Sequence, residues 1–389
     1  MHRFKILAAA ALALGISTGA LAAEPLKIGL LVPVTGPFAD YGKQIERGVQ
    51  LYLAQHGGTV AGRKVELVLR DDAPGTSGEV SKRIAQEMIV KDKVEILAGF
   101  GLTPEALAVA PIVTQAKIPA VIMNAATSII TTRSPYFVRT SHTLPQDTAP
   151  MATWALHNGI KKVYTLVADY GPGQDAEAQF KKTFTAGGGQ IVGDVRVPVT
   201  NVDFAPYLQK IKDVKPDAVF MFVPPGAGTI AFMKDFANRG LAQAGIKIIA
   251  TGDLTDENVL DAYGDAALGV ITAFHYSEDH NSPENKAYVA AFEKANPKNR
   301  PNFMSVAGYD GMHLIDAVVT KNGGSTDAEK FIDAAKGMSW MSPRGRIAID
   351  PATRDIVQTV YIRKVEKVGG KLQNVEFDKF PDFKDPGKQ

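Results

Sequence analysis

The sequence predicts an α/β protein of two doubly wound lobes, each a parallel sheet covered on both faces by helices. Short β-branched apolar runs alternate with helical stretches along most of the chain, which is the order of a βαβ repeat. Most of these runs are continuously apolar, as in strands buried on both faces. The rhythm breaks near Thr140 to Pro150, a stretch with Pro145, Asp147 and Pro150, and then restarts. The break marks a candidate boundary between two lobes of about 120 residues each.

The elements follow in order. Leu26 to Val34 is an apolar strand, and Gly42 to Gln55 is a helix with Ile45, Val49 and Leu53 on one face. Lys64 to Arg70 alternates strictly and reads as a half-buried strand. Ser77 to Val90 is a helix, Val94 to Ala98 a strand, and Pro104 to Gln115 a helix. Proline near its first turn is harmless because that N–H has no partner in the helix. Pro119 to Met123 closes the first series. The second holds strands at Lys162 to Ala168, Gln190 to Pro198, Ala218 to Val223, Lys247 to Ala250 and Gly269 to Ala273. Helices at Asp175 to Ala186, Tyr207 to Val214 and Thr229 to Arg239 separate them. Arg346 to Ile349 and Thr359 to Val365, joined by a turn at Asp350-Pro351, have no helix between them and read as antiparallel edge strands. The Pro-, Lys- and Asp-rich tail from Asp378 to Gln389 reads as loose.

Residues 1–23 read as a cleaved export signal. Arg3 and Lys5 precede an apolar run from Ile6 to Ile16, and Ala20-Leu21-Ala22 has the small-x-small form of a cleavage site. The run falls short of the roughly 20 residues that span a bilayer. The mature chain is expected to start near Ala23 or Glu24. Those two basic residues account for the whole excess of 43 Lys and Arg over 41 Asp and Glu. A neutral mature chain argues against a nucleic-acid surface. The chain has no Cys, which removes disulfides, thiol chemistry and lipid attachment through a cysteine. The seven His include no HExxH and no pair at ligand spacing, so no zinc site is expected.

In open α/β sheets, ligands bind outside the carboxyl ends of the strands. Three strand-end loops stand out. Gly99-Phe100-Gly101-Leu102-Thr103 starts like a dinucleotide fingerprint, but Pro104 stands where the third glycine belongs and no acidic residue follows at a ribose position. Its helix N-terminus and the Thr103 hydroxyl suit a carboxylate, or else form an ordinary cap. Asn124-Ala125-Ala126-Thr127-Ser128 combines small residues with two hydroxyls, or is simply a tight turn. Asp169-Tyr170-Gly171-Pro172-Gly173 offers Tyr170 as an amphipathic wall. Three such loops, drawn from both halves, point to a site in the cleft. Catalysis has little support: there is no GxSxG elbow and no Cys nucleophile. The carboxylates Asp253, Asp256 and Glu257 read equally as solvated loop charges. His275-Tyr276 either lines the cleft or packs in the core.

Several segments together resemble the substrate-binding proteins of ABC importers, of the leucine/isoleucine/valine-binding type. They are IGLLVPVTGPFADYGKQIERGVQLYL, AGFG, IPAVIMNAATS, VADYGPGQDA, GDAALGVI and SPRGRIAIDPATRD, in this order. The resemblance covers essentially the whole chain. It implies two lobes joined by three crossings: residues 24–143 with 278–349, and residues 144–277 with 350–377, leaving 378–389 as tail. It also implies a small carboxylate ligand, permease subunits in the inner membrane as partners, no cofactor, a periplasmic monomer and no enzymatic turnover.

The family's pocket maps by position onto Thr103 for the ligand carboxylate, Ala125 and Thr127 for backbone and hydroxyl contacts, and Tyr41 and Tyr170 as walls. Phe100, Pro224 and Tyr276 complete the expected lining. Two positions depart from the amino-acid binders. Pro224-Pro225 stands where they place a tyrosine. Leu254 stands where they place the glutamate that pairs with the ligand ammonium, with Asp253 one residue earlier. A buried ammonium without an anion costs several kcal/mol. The expected ligand is therefore an aromatic acid of benzoate or cinnamate type. The alternative is a branched-chain or other aliphatic amino acid, with Asp253 doing the work of the glutamate. A second alternative is a ligand-binding sensor subunit.

Overall fold

A computed structural model describes residues 24–73 and 77–388, so the expected export signal lies outside the described residues. The first sheet is built from β1 (Leu26–Val32), β2 (Thr59–Val60), β3 (Arg63–Asp71), β4 (Ile96–Gly99), β5 (Ala120–Ile122) and β6 (Phe137–Arg139), in the order β2-β3-β1-β4-β5-β6. All its pairings are parallel except that of the short β2 with β3. Helices α1 (Ala39–Gln55), α2 (Gly78–Glu87) and α3 (Thr103–Ala116) connect these strands.

The second lobe begins with α4 (Leu144–His157), which lies inside the stretch read as a break. Pro145 sits in its first turn, where proline is tolerated, and Thr143 and Gln146 form a capping box. Prolines that looked like breakers thus start a helix. The elements β7 (Lys162–Ala168), α5 (Gly171–Ala186), β8 (Gln190–Val197), α6 (Ala205–Val214), β9 (Ala218–Phe222), α7 (Ala227–Asn238), β10 (Lys247–Thr251), the single turn α8 (Glu257–Leu260) and β11 (Ile271–Phe274) follow.

The chain then returns to the first lobe. Helices α9 (Pro283–Ala295), α10 (Phe303–Lys321) and α11 (Ala328–Ala335) bury Tyr288, Phe292, Phe303 and Phe331 in the same core as β1 and β4. Gly48 and Gly308 let α1 and α10 touch: a Cβ on Gly48 would meet the Ser305 carbonyl oxygen at 1.9 Å. β12 (Ser339–Ser342) and β13 (Gly345–Ile349) form a hairpin and lead into β14 (Ile356–Val368) and β15 (Lys371–Phe383). The second sheet runs β12-β13-β14-β11-β10-β9-β7-β8, with β15 also paired to β14.

Two expectations are corrected here. β14 is not an edge strand, since β11, β13 and β15 all pair with it. The segment from Asp378 is not a loose tail. It continues β15 as far as Phe383, then Ser128 Oγ donates to Asp385 Oδ1 at 3.0 Å and Lys388 pairs with Asp355. Its pairing along one side of β14 is not marked by any alternation in the sequence, and the charged, Pro-containing composition hid it. Among the described residues no helix is long and apolar enough to cross a membrane.

The chain leaves the first sheet at 140–143, returns to the first lobe's core at 275–282, and rejoins the second sheet through β12 and β13, whose link to β14 at 350–355 packs beside β6. Buried arginines tie these crossings together. Arg344 donates to the Thr140 and Ser141 carbonyls and lies 3.0 Å from Asp310. Arg363 donates to the Tyr276 carbonyl, and Arg139 donates to the carbonyls of Thr127 (2.7 Å) and His142 (3.2 Å).

Candidate functional site

The cleft between the sheets is built from strand ends. After β4, Gly99 (φ 105°) and Phe100 (φ 64°) take left-handed backbone conformations. The Phe100 N–H donates to the Leu31 carbonyl, and the Phe100 carbonyl accepts from the Ala125 N–H, each at 2.9 Å. A non-glycine residue holds this conformation only where its surroundings enforce it. Here the turn drives the Phe100 ring into the core against Phe137, with centroids 5.9 Å apart, and leaves Gly101 to Thr103 on the cleft. After β5, Asn124 Nδ2 donates to the Gly101 carbonyl at 2.6 Å and braces the two loops. The Thr103 and Thr127 hydroxyls then lie 2.7 Å apart.

From the other lobe, Tyr170 caps α5 and stacks on Phe222, with centroids 6.2 Å apart and planes at 11°. The lobes touch. Tyr41 donates across the cleft to the Pro225 carbonyl at 3.3 Å. Gln44 Nε2 donates to Asn258 Oδ1 at 2.9 Å, and Asn258 Nδ2 donates to Asp40 Oδ2 at 2.6 Å.

The space they enclose is only about 20 Å³, room for little more than a water, so the cleft is shut and must open to admit a ligand. Tyr41, Tyr170, Phe222, Phe303 and Pro224 give it flat apolar walls, and among the described residues no Lys or Arg lines it. The N-termini of α3 and α5 border it, and a helix N-terminus favours an anion. Glu105, in the first turn of α3, would oppose an anion if ionised. Burial holds its carboxyl well above the usual carboxylate range, which favours the neutral form.

Asp253 and His142 also line the cavity. Burial pushes Asp253 up to about 6, against the influence of His142, and pushes His142 down to about 4. Behind His142, Asp147 Oδ2 lies 2.6 Å from Nδ1, and His275 Nδ1 lies 3.7 Å from Asp147 Oδ1. The donor atoms of this trio lie within 4.8 Å of one another, which fits a metal by distance. Electrostatics oppose it, because the charges of Arg344 and Arg363 bear on Asp147. The set is better suited to hydrogen bonding than to holding a cation.

Comparison with known proteins agrees with this geometry. A family model described as "Periplasmic binding protein" matches residues 25–371. The chain belongs to the periplasmic binding protein family. The Leu/Ile/Val-binding protein homolog 6 of Brucella melitensis is 46% identical over 386 residues, covering 98% of each chain. An ABC-transporter solute-binding protein of Rhodopseudomonas palustris BisB5, solved with 3,4-dihydroxybenzoic acid, is 57% identical with a TM-score of 0.91. The match covers 94% of this chain and 99% of that one. Another solute-binding protein from R. palustris, solved with 4-hydroxybenzoate, is 46% identical with a TM-score of 0.91, covering 94% and 100%.

In this periplasmic binding protein, Tyr41, Thr103, Ala125, Tyr170, Pro224 and Asp253 come together around the cavity. Thr127 stands beside it, bonded to Thr103. Phe100, Leu254 and Tyr276 do not line it, and the expectation that they would is corrected. The left-handed turn takes Phe100 inward. Leu254 packs in the second lobe's core, one residue past Asp253 on the opposite side of a tight turn. Tyr276 is buried in the first lobe's core. Sequence reasoning missed His142, Leu144, Phe222 and Phe303. His142 and Leu144 fall in the stretch read only as a boundary. A hinge crossing floors a cleft, so a histidine there was a usable signal. Phe303 reaches the cavity from a helix nearly two hundred residues from the loops it meets, and no local pattern marks it.

Proposed function

We propose that this protein is the periplasmic solute-binding component of an ABC importer and captures an aromatic carboxylic acid between its lobes. It would deliver that ligand to permease subunits in the inner membrane. The observation that carries this reading is the pairing of an anion-attracting wall with flat apolar walls. Thr103, Thr127 and two helix N-termini face a carboxylate, and Tyr41, Tyr170, Phe222 and Phe303 suit a ring. Burial of a ring contributes roughly 25 cal/mol per Å². The relatives solved with hydroxylated benzoates support the same ligand class.

Residues 24–143 with 278–349 and residues 144–277 with 350–377 are proposed to move as the two lobes. A ligand that touches both favours the shut form, because only that form makes both sets of contacts. The protein binds and releases its ligand without turnover, as a monomer.

One observation favours a second reading. Asp253 lines the cavity and is positioned to pair with the ammonium of an aliphatic amino acid. Isothermal titration of the ligand-stripped protein separates the two. A benzoate or cinnamate should bind at least tenfold tighter than leucine, a gap of about 1.4 kcal/mol. Micromolar leucine binding with no response to any aromatic acid would overturn the reading.

A further inference from the structure

The cavity holds two kinds of polar group. Thr103 and the helix N-termini offer donors. His142 and Asp253 are a different pair, and no hydrogen bond joins them among the described residues. Each bonds backward instead. His142 Nδ1 is taken by Asp147, and Asp253 Oδ2 accepts from Thr251 Oγ1 at 2.7 Å. His142 Nε2 and Asp253 Oδ1 are left for a ligand. Asp147 is fully buried behind the ring, where burial holds its carboxyl well above the usual range and so favours the form that donates to His142 Nδ1, 2.6 Å away. The hydrogen of the neutral imidazole then sits on Nε2, facing outward as a donor. Asp253, ionised at neutral pH, is an acceptor only. A carboxylate would be repelled by Asp253, which turns an aromatic acid so that its ring substituent lies at this pair.

A hydroxyl is both a donor and an acceptor, and a single one can satisfy both residues. We propose that His142 and Asp253 form a seat for a ring hydroxyl, which donates to Asp253 and accepts from His142. The protein thereby selects ring-hydroxylated aromatic acids over unsubstituted ones. This rests on the aromatic-acid reading above. Unsubstituted benzoate desolvates both groups and pairs neither. A methoxy group accepts from His142 but gives Asp253 nothing.

Isothermal titration at neutral pH tests this with 4-hydroxybenzoate, 4-methoxybenzoate, benzoate and leucine. In the wild type, 4-hydroxybenzoate should bind at least about tenfold tighter than benzoate, and 4-methoxybenzoate no tighter than benzoate. Asp253→Ala and His142→Phe should each bring the affinity for 4-hydroxybenzoate close to that for benzoate. His142→Phe strands Asp147, so the wild type supplies an independent measurement. The ¹⁵N resonance of His142 Nε2 should move on adding 4-hydroxybenzoate and stay in place with benzoate. Equal wild-type affinities for the two acids, or an undiminished preference in Asp253→Ala, would overturn the hydroxyl seat and leave the aromatic-acid reading intact. Binding of leucine with neither aromatic acid bound would overturn the aromatic-acid reading itself.

Discussion

Gly171 is where closure can be tested with a single methyl group. It opens α5 on the second lobe and faces the Thr103 and Thr127 loops of the first. A Cβ there would lie 2.7 Å from Thr127 Oγ1, 3.3 Å from Thr103 Cγ2 and 3.5 Å from Thr127 Cγ2. The first distance is shorter than a packed structure allows. Thr127 Oγ1 is not free to swing aside, because it is bonded to Thr103 Oγ1 at 2.7 Å. The backbone of Gly171 is not in the left-handed region, so alanine adopts it without strain. All three contacts cross the cleft. Gly171→Ala therefore leaves each lobe intact and opposes only the shut form. Overpacking of this kind costs about 1–3 kcal/mol, so the Kd for 4-hydroxybenzoate should rise about 5- to 150-fold. Thermal unfolding without ligand should be unchanged or slightly raised, as for glycine-to-alanine changes at compatible sites. Titration calorimetry gives the Kd, and small-angle scattering gives the radius of gyration at saturating ligand, which should exceed that of the wild type. Gly173, two residues on, is the control. Its Cβ would lie 1.8 Å from the Ala168 carbonyl oxygen of the same lobe, so Gly173→Ala should lower the unfolding temperature. A Gly171→Ala protein with wild-type affinity would refute closure onto this loop.

Two further predictions concern the first lobe. Thr103→Val removes a hydroxyl offered to the ligand carboxylate and should weaken binding by about 1.5–3 kcal/mol, the usual worth of a hydrogen bond to a charged group; unchanged calorimetric affinity would move the anion site elsewhere. Asp72 is buried with Ser81 Oγ donating to it at 2.7 Å, and burial raises its pKa from 3.8 to about 6. The folded state then holds a proton more tightly than the unfolded state, so stability falls as pH rises from about 4 to 6. Asp72→Asn, whose amide oxygen still accepts from Ser81, should stabilise the protein at pH 7 by up to about 3 kcal/mol. That gain should vanish below about pH 4, as read by urea unfolding across pH.

The lobes were legible because their strands are buried on both faces. The run from Leu26 to Val32 is apolar except for Lys27 and Gly29, and at that length a continuous apolar run reads as a strand rather than a helix. The loops that border the cavity were legible for a related reason: a strand end followed by small residues and a hydroxyl leaves backbone open to the cleft. What failed to show is what long-range packing decides. Pro145 and Pro150 signal a break until Thr143 caps the helix that contains them. Phe100 reads as a wall residue until its φ of 64° is known. Asp253 and Leu254 could not be assigned to cavity and core by alignment, since adjacent residues in a tight turn point to different sides. The trio of His142, Asp147 and His275 is invisible to a search for ligand spacing because the two histidines come from separate crossings, brought together only when the lobes assemble.

The buried arginines supply what the cleft loops lack. An anion site without Lys or Arg needs another source of positive potential, and helix N-termini provide only part of it. Arg139 lies beneath the Thr127 loop, donating to its carbonyl at 2.7 Å, with the Asp355 carboxylate 3.4 Å away. Exposed in the cleft, the same guanidinium would grip a carboxylate bidentately and slow its release to a permease. Buried, it holds the loop that presents Thr127 and ties that loop to His142 at the crossing. At the proposed site the carboxylate meets neutral hydroxyls and backbone N–H groups rather than a guanidinium. Affinity comes to depend on closure, when Gly171 and Tyr170 arrive from the other lobe, and opening weakens the grip. A binding protein that must surrender its cargo is served by charges that position the site without touching the ligand.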